Sequence, residues 1–324
     1  MVTMPNGKIV TVFGGSGFVG RHIIRALARR GWRVRAAVRR PDLAGHLQPL
    51  GGPGQVLPIQ ANLRYDWSVE RAVEGADAVI NLVGILYESR KQSFTAVHED
   101  GARAVAEATK AAGISSLTHM SALGSDPQSS SDYARSKAAG ERAVREVMPE
   151  ATIVRPSIVF GPEDMFFNQF AWLARMLPVL PLISWGTTKF QPVYVGDVAA
   201  AFGKVLDGEV PAGVTYELGG PQVKTYKQCL EQIVEVVGRK RLLLPWPAPL
   251  AKFDAWFLQM LPKPLLTIDQ VRLLETDIIV SDAAIAEQRT LDGMDISATT
   301  LAAVLPTYLY RFREHGQFQS HRPA

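Results

Sequence analysis

A single cysteine, Cys229, stands among 324 residues, which excludes a disulfide within the chain. It lies in TYKQCLEQIVEVVG, whose spacing predicts a buried thiol on a helix rather than a reactive one. Six scattered histidines and that cysteine offer no metal-ligand cluster, so no metal is expected. No uninterrupted apolar run reaches the roughly 18 residues that a membrane-spanning helix needs. Internal repeats and low-complexity tracts are lacking too. Lys and Arg exceed Asp and Glu only by 35 to 31, an ordinary balance, and no nucleic-acid partner is expected. The first strand pattern opens at Ile9, which leaves no room ahead of it for a signal or transit peptide. The chain is therefore read as facing the cytosol, and as bacterial unless a leader has been processed away.

What is present is a folded chain. With 47% hydrophobic residues it can bury a large core, and its length predicts one large or two intimate domains. Its most telling stretch is KIVTVFGGSGFVG, Lys8–Gly20: an apolar strand, a turn with glycines at 14, 15, 17 and 20, then a helix from about Phe18. Backbone amides and the positive helix end at such a turn bind a dinucleotide pyrophosphate, and side chains on those glycines would hold it away. A valine at Gly17 would occupy the pyrophosphate path and is expected to strain the turn.

Strand and helix patterns then alternate. Apolar runs at Ile9–Phe13, Val34–Val38, Val56–Ile59, Ala78–Val83, Leu117–Met120 and Ala151–Val154 are separated by helical stretches near Phe18–Arg30, Asp66–Glu74, Thr95–Ala112 and Asp132–Val147. Repeated β-then-α units of this length predict an α/β fold, a Rossmann-type doubly wound parallel sheet. After about Gly161 prolines break the pattern into short pieces. Residues 1–160, with 190–207 returning to them, are expected to form the nucleotide-binding domain. Residues 161–324 would form a smaller, mostly C-terminal α/β lobe over the carboxyl ends of the strands.

Two features refine the chemistry. Strand two ends in VRAAVRRP, with Arg39 and Arg40 where an acid would grip the adenosine ribose of NAD; residues 21–40 contain eight arginines and no acid. Guanidinium groups pair with a 2′-phosphate that a carboxylate repels, so NADP(H) is the expected cofactor. Tyr133 and Lys137, in YARSK, share one helix face, and the ammonium is expected to lower the tyrosine pKa for proton transfer. Ser121, just after a strand, could hydrogen-bond a substrate carbonyl. The YESRK of Tyr87–Lys91 also matches, but it follows the fourth strand and is read as a surface loop.

GGSGFVG, YARSK and RPSIVFGP at Arg155–Pro162 together resemble an extended or atypical short-chain dehydrogenase/reductase. INLVGILYES, RPSIVFGPEDMFFNQF, FQPVYVGDVAAAF, ELGGPQVKTYKQ and PLLTIDQVRLLETDIIVS resemble the NAD(P)H-binding accessory subunits of respiratory complex I over almost the whole chain. That resemblance implies a nucleotide held structurally, complex I subunits as partners, and a place on the peripheral arm near the membrane. It implies nucleotide contacts from Gly14, Gly15, Ser16, Gly17, Phe18, Val19, Gly20, Arg39, Arg40, Asn62, Leu63, Val83, Gly84, Tyr133 and Lys137. Pro156, Ser157, Ile158 and Val159 would carry the loop beside the nicotinamide. Ser121, Tyr133 and Lys137 would be an inherited catalytic set. Where the extended family commonly has asparagine in a proton relay this chain has His98, read as a core or helix-start histidine, and where an aspartate often flanks adenine it has Asn62. The alternative is a working NADP-dependent reductase or sugar-nucleotide epimerase, or a related protein of ubiquinone synthesis.

Asp164–Ile183 and Pro249–Leu261 are apolar around most of a helical circumference. For the first, closing a lid over the nucleotide and contacting a partner are equally open. The second is read as a contact for a partner or for membrane lipids, which the basic tail YRFREHGQF…HRPA would assist.

Overall fold

Short runs of Val, Ile, Ala and Phe between glycine or polar turns suit strands buried on both faces of a parallel sheet. The computed structural model describes residues 6–89, 92–261 and 264–316. Six such strands fill its first half: β1 (Ile9–Phe13), β2 (Arg33–Val38), β3 (Val56–Gln60), β4 (Ala78–Asn81), β5 (Ser116–Met120) and β6 (Thr152–Pro156). A further strand, Thr215–Leu218, pairs with β6, so the seven-stranded order runs Thr215–Leu218, β6, β5, β4, β1, β2, β3. Every pairing is parallel. Helices α1 (Phe18–Arg29), α2 (Asp66–Val73), α3 (Gly101–Ala111) and α4 (Asp132–Val147) make the crossovers. The doubly wound sheet expected from the pattern is therefore present, and strand order reverses between β1 and β4, where such folds bind ligands.

Two boundaries differ from expectation for local reasons. β4 stops at Asn81 rather than Val83, because the Asn81 Oδ1 accepts the Val83 amide at 3.1 Å and draws the chain out of the ladder. The helix expected over Thr95–Ala112 begins instead as a π turn, Thr95–Asp100, that runs directly into α3.

The chain forms two units. The first takes Met1–Pro156, Gly196–Leu218 and Ser281–Ile296; the second takes Ser157–Val195, Gly219–Val280 and Ser297–Ala324. Polar anchors hold the returning segments of the first unit. Arg30 forms ion pairs with Asp207 and, at 2.7 Å, Glu209, while the Trp32 indole donates to Asp207 at 2.9 Å. Arg155 on β6 forks onto Glu141 of α4 at 2.9 and 2.6 Å and lies 3.6 Å from Glu217 on the last strand. Glu217 in turn accepts the Ser281 amide at 2.8 Å, and Arg289 donates to the Thr215 carbonyl at 2.5 Å.

The second unit has its own core, built on Phe160, Phe167, Phe190, Tyr226, Leu230, Ile233 and Leu305. Cys229 is buried in helix Tyr226–Val237, where desolvation pushes its thiol up to about 12. Asp164–Ile183 is not one apolar helix. It forms a helix, Phe166–Met176, and then a strand, Val179–Ile183, paired in parallel with Leu242–Trp246. Pro178 and Pro181 forbid continuation of the helix. The Tyr310–Arg313 part of the basic tail is described; from residue 317 it lies outside the described residues, as does Lys91.

α4 packs so closely on the π turn that a Cβ at Gly140 would lie 2.1 Å from the His98 carbonyl oxygen. Gly140→Ala should therefore destabilise the protein by about 3 kcal/mol, as overpacking against backbone does. A urea unfolding curve with an unchanged midpoint would refute that packing.

Candidate functional site

β1 delivers the chain to Gly14, whose φ of +79° suits glycine and whose Cβ would lie 3.1 Å from the Leu82 backbone. Gly20 lets α1 settle on the turn, since a Cβ there would meet the Gly14 carbonyl oxygen at 2.6 Å. Gly17 differs from both. Its φ of −72° and ψ of 176° are extended backbone open to any residue, so the strain expected for a valine is not present. A Cβ on Gly17 would meet only the Gly14 carbonyl oxygen, at 3.3 Å. What the missing side chain leaves is room beside the first turn of α1, which has neither a side-chain cap nor an acidic residue. Open space at an uncapped helix N-terminus, on the carboxyl edge of a parallel sheet, fits a pyrophosphate. Ser16 belongs to the turn and Phe18 and Val19 start the helix, while Arg21 donates to the Ser16 and Gly17 carbonyls at 3.4 Å.

The two arginines after β2 have different surroundings. Arg40 forks onto Asp42 at 3.0 and 2.7 Å, and this carboxylate holds the guanidinium pKa up while its own is drawn down. Arg39 donates instead to the neutral Gln92 amide at 2.6 Å, from the segment after β4, and so has no ion-pair partner among the described residues. Asp42 lies two residues beyond the acid-free run, which is why counting charges over 21–40 did not reveal it.

Asn62 and Leu63 follow β3, and Val83 and Gly84 follow β4, all at the carboxyl edge. The Asn62 Oδ1 accepts the Arg64 amide at 3.3 Å; Leu63 and Val83 pack onto the core of the first unit. A Cβ on Gly84 would lie 3.5 Å from the His98 imidazole. Pro156 ends β6, whereas Ser157, Ile158 and Val159 belong to the second unit.

Around α4 the chemistry tightens. The His98 Nε2 accepts the Ile85 amide at 3.0 Å, which places the ring proton on Nδ1, 2.8 Å from the Ser136 Oγ. Ser136 passes the chain of donors on to the Tyr133 carbonyl at 2.7 Å. Burial, and then the Lys137 charge, push His98 down to about 3. It is neutral and both ring nitrogens are engaged, as befits a core histidine. The Tyr133 ring stands edge-on to His98 and Phe94, with centroids 5.5 and 6.0 Å away.

Lys137 donates to the Met120 carbonyl at 2.8 Å, immediately before Ser121. Ser121 is buried and lies 3.0 Å from the Ser125 Oγ. Burial pushes the Tyr133 phenol up to about 12 and the Lys137 ammonium down to about 8. The lowered tyrosine pKa expected from the four-residue spacing is thus reversed: spacing brings the two side chains to one face, but desolvation disfavours both charges.

Several participants escaped the sequence reading. Ser136 lies inside YARSK itself. Asn81 and His119, on neighbouring strands, pair at 3.3 Å, and the His119 Nε2 has no hydrogen-bond partner among the described residues. His119 stands two residues before Ser121, a position the motif itself could have indicated. Tyr87 lies in a non-helical segment. Among the described residues, no group of three or more His, Cys, Asp or Glu could hold a metal ion.

A family model described as the NAD dependent epimerase/dehydratase family matches residues 10–219, which include the glycine turn, Ser121, Tyr133 and Lys137. The chain belongs to this family. Within it, the chain is 36% identical over 323 residues to an Arabidopsis thaliana protein named NADH dehydrogenase [ubiquinone] 1 alpha subcomplex subunit 9, mitochondrial, covering 96% of this chain and 79% of that one. It is 34% identical over 295 residues to a protein of Caulobacter vibrioides named ceramide reductase, covering 89% of this chain and 90% of that one. Triphenylmethane reductase of a Citrobacter species shares the fold at a TM-score of 0.74 and 18% identity, covering 93% of this chain and 99% of that one. Nucleotide binding of the NAD(P) type is thus a property of the family, and the turn before α1 has the form it requires.

The buried Lys137 gives a test by pH. Its folded pKa, about 8, is below the ordinary 10.5, so the folded state disfavours the charged form. Below that value both states hold the proton and the penalty is complete; as pH rises the unfolded chain holds more protons and stability returns. Relative to Lys137→Met, the protein should gain about 2 kcal/mol between about pH 7.5 and 9.5. Parallel urea curves showing no pH-dependent difference would place the ammonium in water.

Proposed function

We propose that this chain is an NADP(H)-binding accessory subunit of respiratory complex I with a structural or assembly role. It would sit on the peripheral arm, on the cytoplasmic side of a bacterial inner membrane or the matrix side in a mitochondrion, with peripheral contact to membrane lipids. In this reading the first unit, expected as residues 1–160 with 190–207 and found as Met1–Pro156, Gly196–Leu218 and Ser281–Ile296, carries the nucleotide, and the second unit does the docking. The observation that carries it is likeness along 96% of the chain, at 36% identity, to a protein named as a mitochondrial complex I subunit. The inherited set does not decide between the readings: Tyr133 is protonated at neutral pH in either, and Lys137 donates to the Met120 carbonyl.

The nucleotide assignment rests on the residues that would hold it. Gly14, Gly15, Ser16, Gly17, Phe18, Val19 and Gly20 offer the phosphate cradle, Arg39 the 2′-phosphate contact, and Asn62, Leu63, Val83 and Gly84 the adenosine side. A bound nicotinamide would supply or accept a hydride. Towards it the chain offers the Ser121 and Tyr133 hydroxyls and the Lys137 ammonium, with Pro156, Ser157, Ile158 and Val159 on the segment that continues from β6.

A second reading, an NADP-dependent reductase, is favoured by the Caulobacter relative named ceramide reductase. Reduction of a carbonyl would use Ser121 to hold the oxygen and Tyr133, protonated as it is, to donate the proton. Epimerase chemistry and a role in ubiquinone synthesis belong to the same class.

Arg39→Glu should weaken NADPH binding about 10- to 100-fold, the value of a charge-assisted hydrogen bond of about 1.5–3 kcal/mol, and leave NADH binding within about twofold. Equal weakening of both in a thermal-shift titration would remove the 2′-phosphate from Arg39. Tyr133→Phe separates the two functions. An accessory subunit so altered should assemble, and membrane NADH:quinone activity should stay within about twofold. A reductase should lose about 100-fold or more of its turnover. A large loss of quinone activity in a fully assembled complex would sink the structural reading.

A further inference from the structure

The helix Ala248–Leu258 is built inside out. The residues it buries in the core of its unit are Ala251 and Ala255, at 1% and 0% exposure. Its large apolar side chains face away: Phe253 is 60% exposed, Trp256 47% and Phe257 52%. Leu250, Phe253, Phe257 and Met260 recur at three- and four-residue spacing and so form one ridge. The three rings brace one another, with Phe257 edge-on to Phe253 at 5.1 Å and to Trp256 at 4.7 Å. A helix that gives alanines to its own core and its bulk to the outside has a second apolar environment to enter.

Charge identifies that environment. Residues 239–265 contain five basic residues and one acid, an excess of four that equals the formal net charge of the whole chain. The acid, Asp254, is occupied by the Trp246 indole at 2.8 Å. Arg239 and Arg241 donate to the neutral carbonyls of Phe312 and Ala174 and have no acidic partner among the described residues, while Lys252 pairs with Glu275 at 3.0 Å. Immediately after Arg239-Lys240-Arg241, the strand Leu242–Trp246 exposes Leu242 and Leu244 on one face. A protein partner would meet this basic surface with acids set in register. A bilayer with anionic headgroups meets it with no register at all, and the helix, with 11 residues, is long enough to lie in the interface and too short to span it.

We propose that the second unit docks on an anionic lipid bilayer through the ridge Leu250, Phe253, Trp256, Phe257 and Met260. The Arg239-Lys240-Arg241 run faces the headgroups. This deepens the membrane-side placement proposed above and rests on it only for where the protein works. The ring ridge enters the acyl boundary, and the basic run supplies long-range attraction that salt screens.

The purified full chain should float with vesicles of phosphatidylcholine and phosphatidylglycerol, and at least about tenfold less with phosphatidylcholine alone. Replacing Phe253, Trp256 and Phe257 together by Ser should reduce flotation on the anionic vesicles by at least about tenfold. Melting temperature and NADPH affinity report whether the variant remains folded. Wild-type protein that stays unbound with anionic vesicles overturns the proposal and leaves the ridge to a protein partner. A folded triple variant that floats like the wild type overturns it as well, and equal flotation on neutral and anionic vesicles overturns the headgroup part. Wild-type flotation decides the question even if the variant does not fold. Co-purification with NADH:quinone activity is a separate measurement, so the lipid surface and the complex I role can fail independently.

Discussion

The nucleotide-binding unit depends on how closely α4 can approach the π turn that carries His98. Gly140 permits that approach, and three other α4 residues use it: Ser136 bonds the His98 ring, Tyr133 stands edge-on to it, and Lys137 reaches the carbonyl at the end of β5. One helix face thereby fixes the segment after β4, the end of β5 and the phenol together. The same closeness removes water. A buried ammonium and a half-buried phenol follow, each displaced towards its neutral form, so the packing that arranges these groups also sets their chemistry.

Charge performs a different task where the chain returns to this unit. The segments Gly196–Leu218 and Ser281–Ile296 arrive from far along the sequence: Arg30 and Arg155 pair with Asp207, Glu209 and Glu217 of the first, and Arg289 of the second bonds back to the Thr215 carbonyl. Ion pairs such as Arg30 with Asp207 and Glu209 impose geometry that apolar contact does not, because a slipped register would leave a charge without its partner. A sheet assembled from two separate stretches of chain needs that discrimination at its last strand. Glu217 supplies it by facing Arg155 and the Ser281 amide at once.

The sheet was legible because strands buried on both faces read as unbroken apolar runs, and glycine marked the turn after β1. β4 ended early through the Asn81 side chain, which no periodicity encodes. The π turn also escaped, since its side-chain spacing resembles a helix and only its hydrogen bonds differ. Val179–Ile183 shows the opposite limit, where an apolar run with two prolines fits a strand as well as a broken helix. At the site, the four-residue spacing located Tyr133 and Lys137 on one face, but the direction of their pKa shifts follows from burial, which spacing does not report. The difference between Arg39 and Arg40 was hidden for a similar reason: Asp42 settles it through a contact reaching back two residues.

The inverted helix Ala248–Leu258 also bears on how the protein behaves when it is handled alone. Two alanine methyl groups are a small stake in the fold, so the outer rings gain more from finding one another on neighbouring molecules than the helix gains from its own core. Concentrated protein will associate through this ridge while its sheet is still intact. Turbidity on heating will then report the ridge rather than the stability of the nucleotide-binding unit, and a mild detergent will clear the solution without unfolding anything.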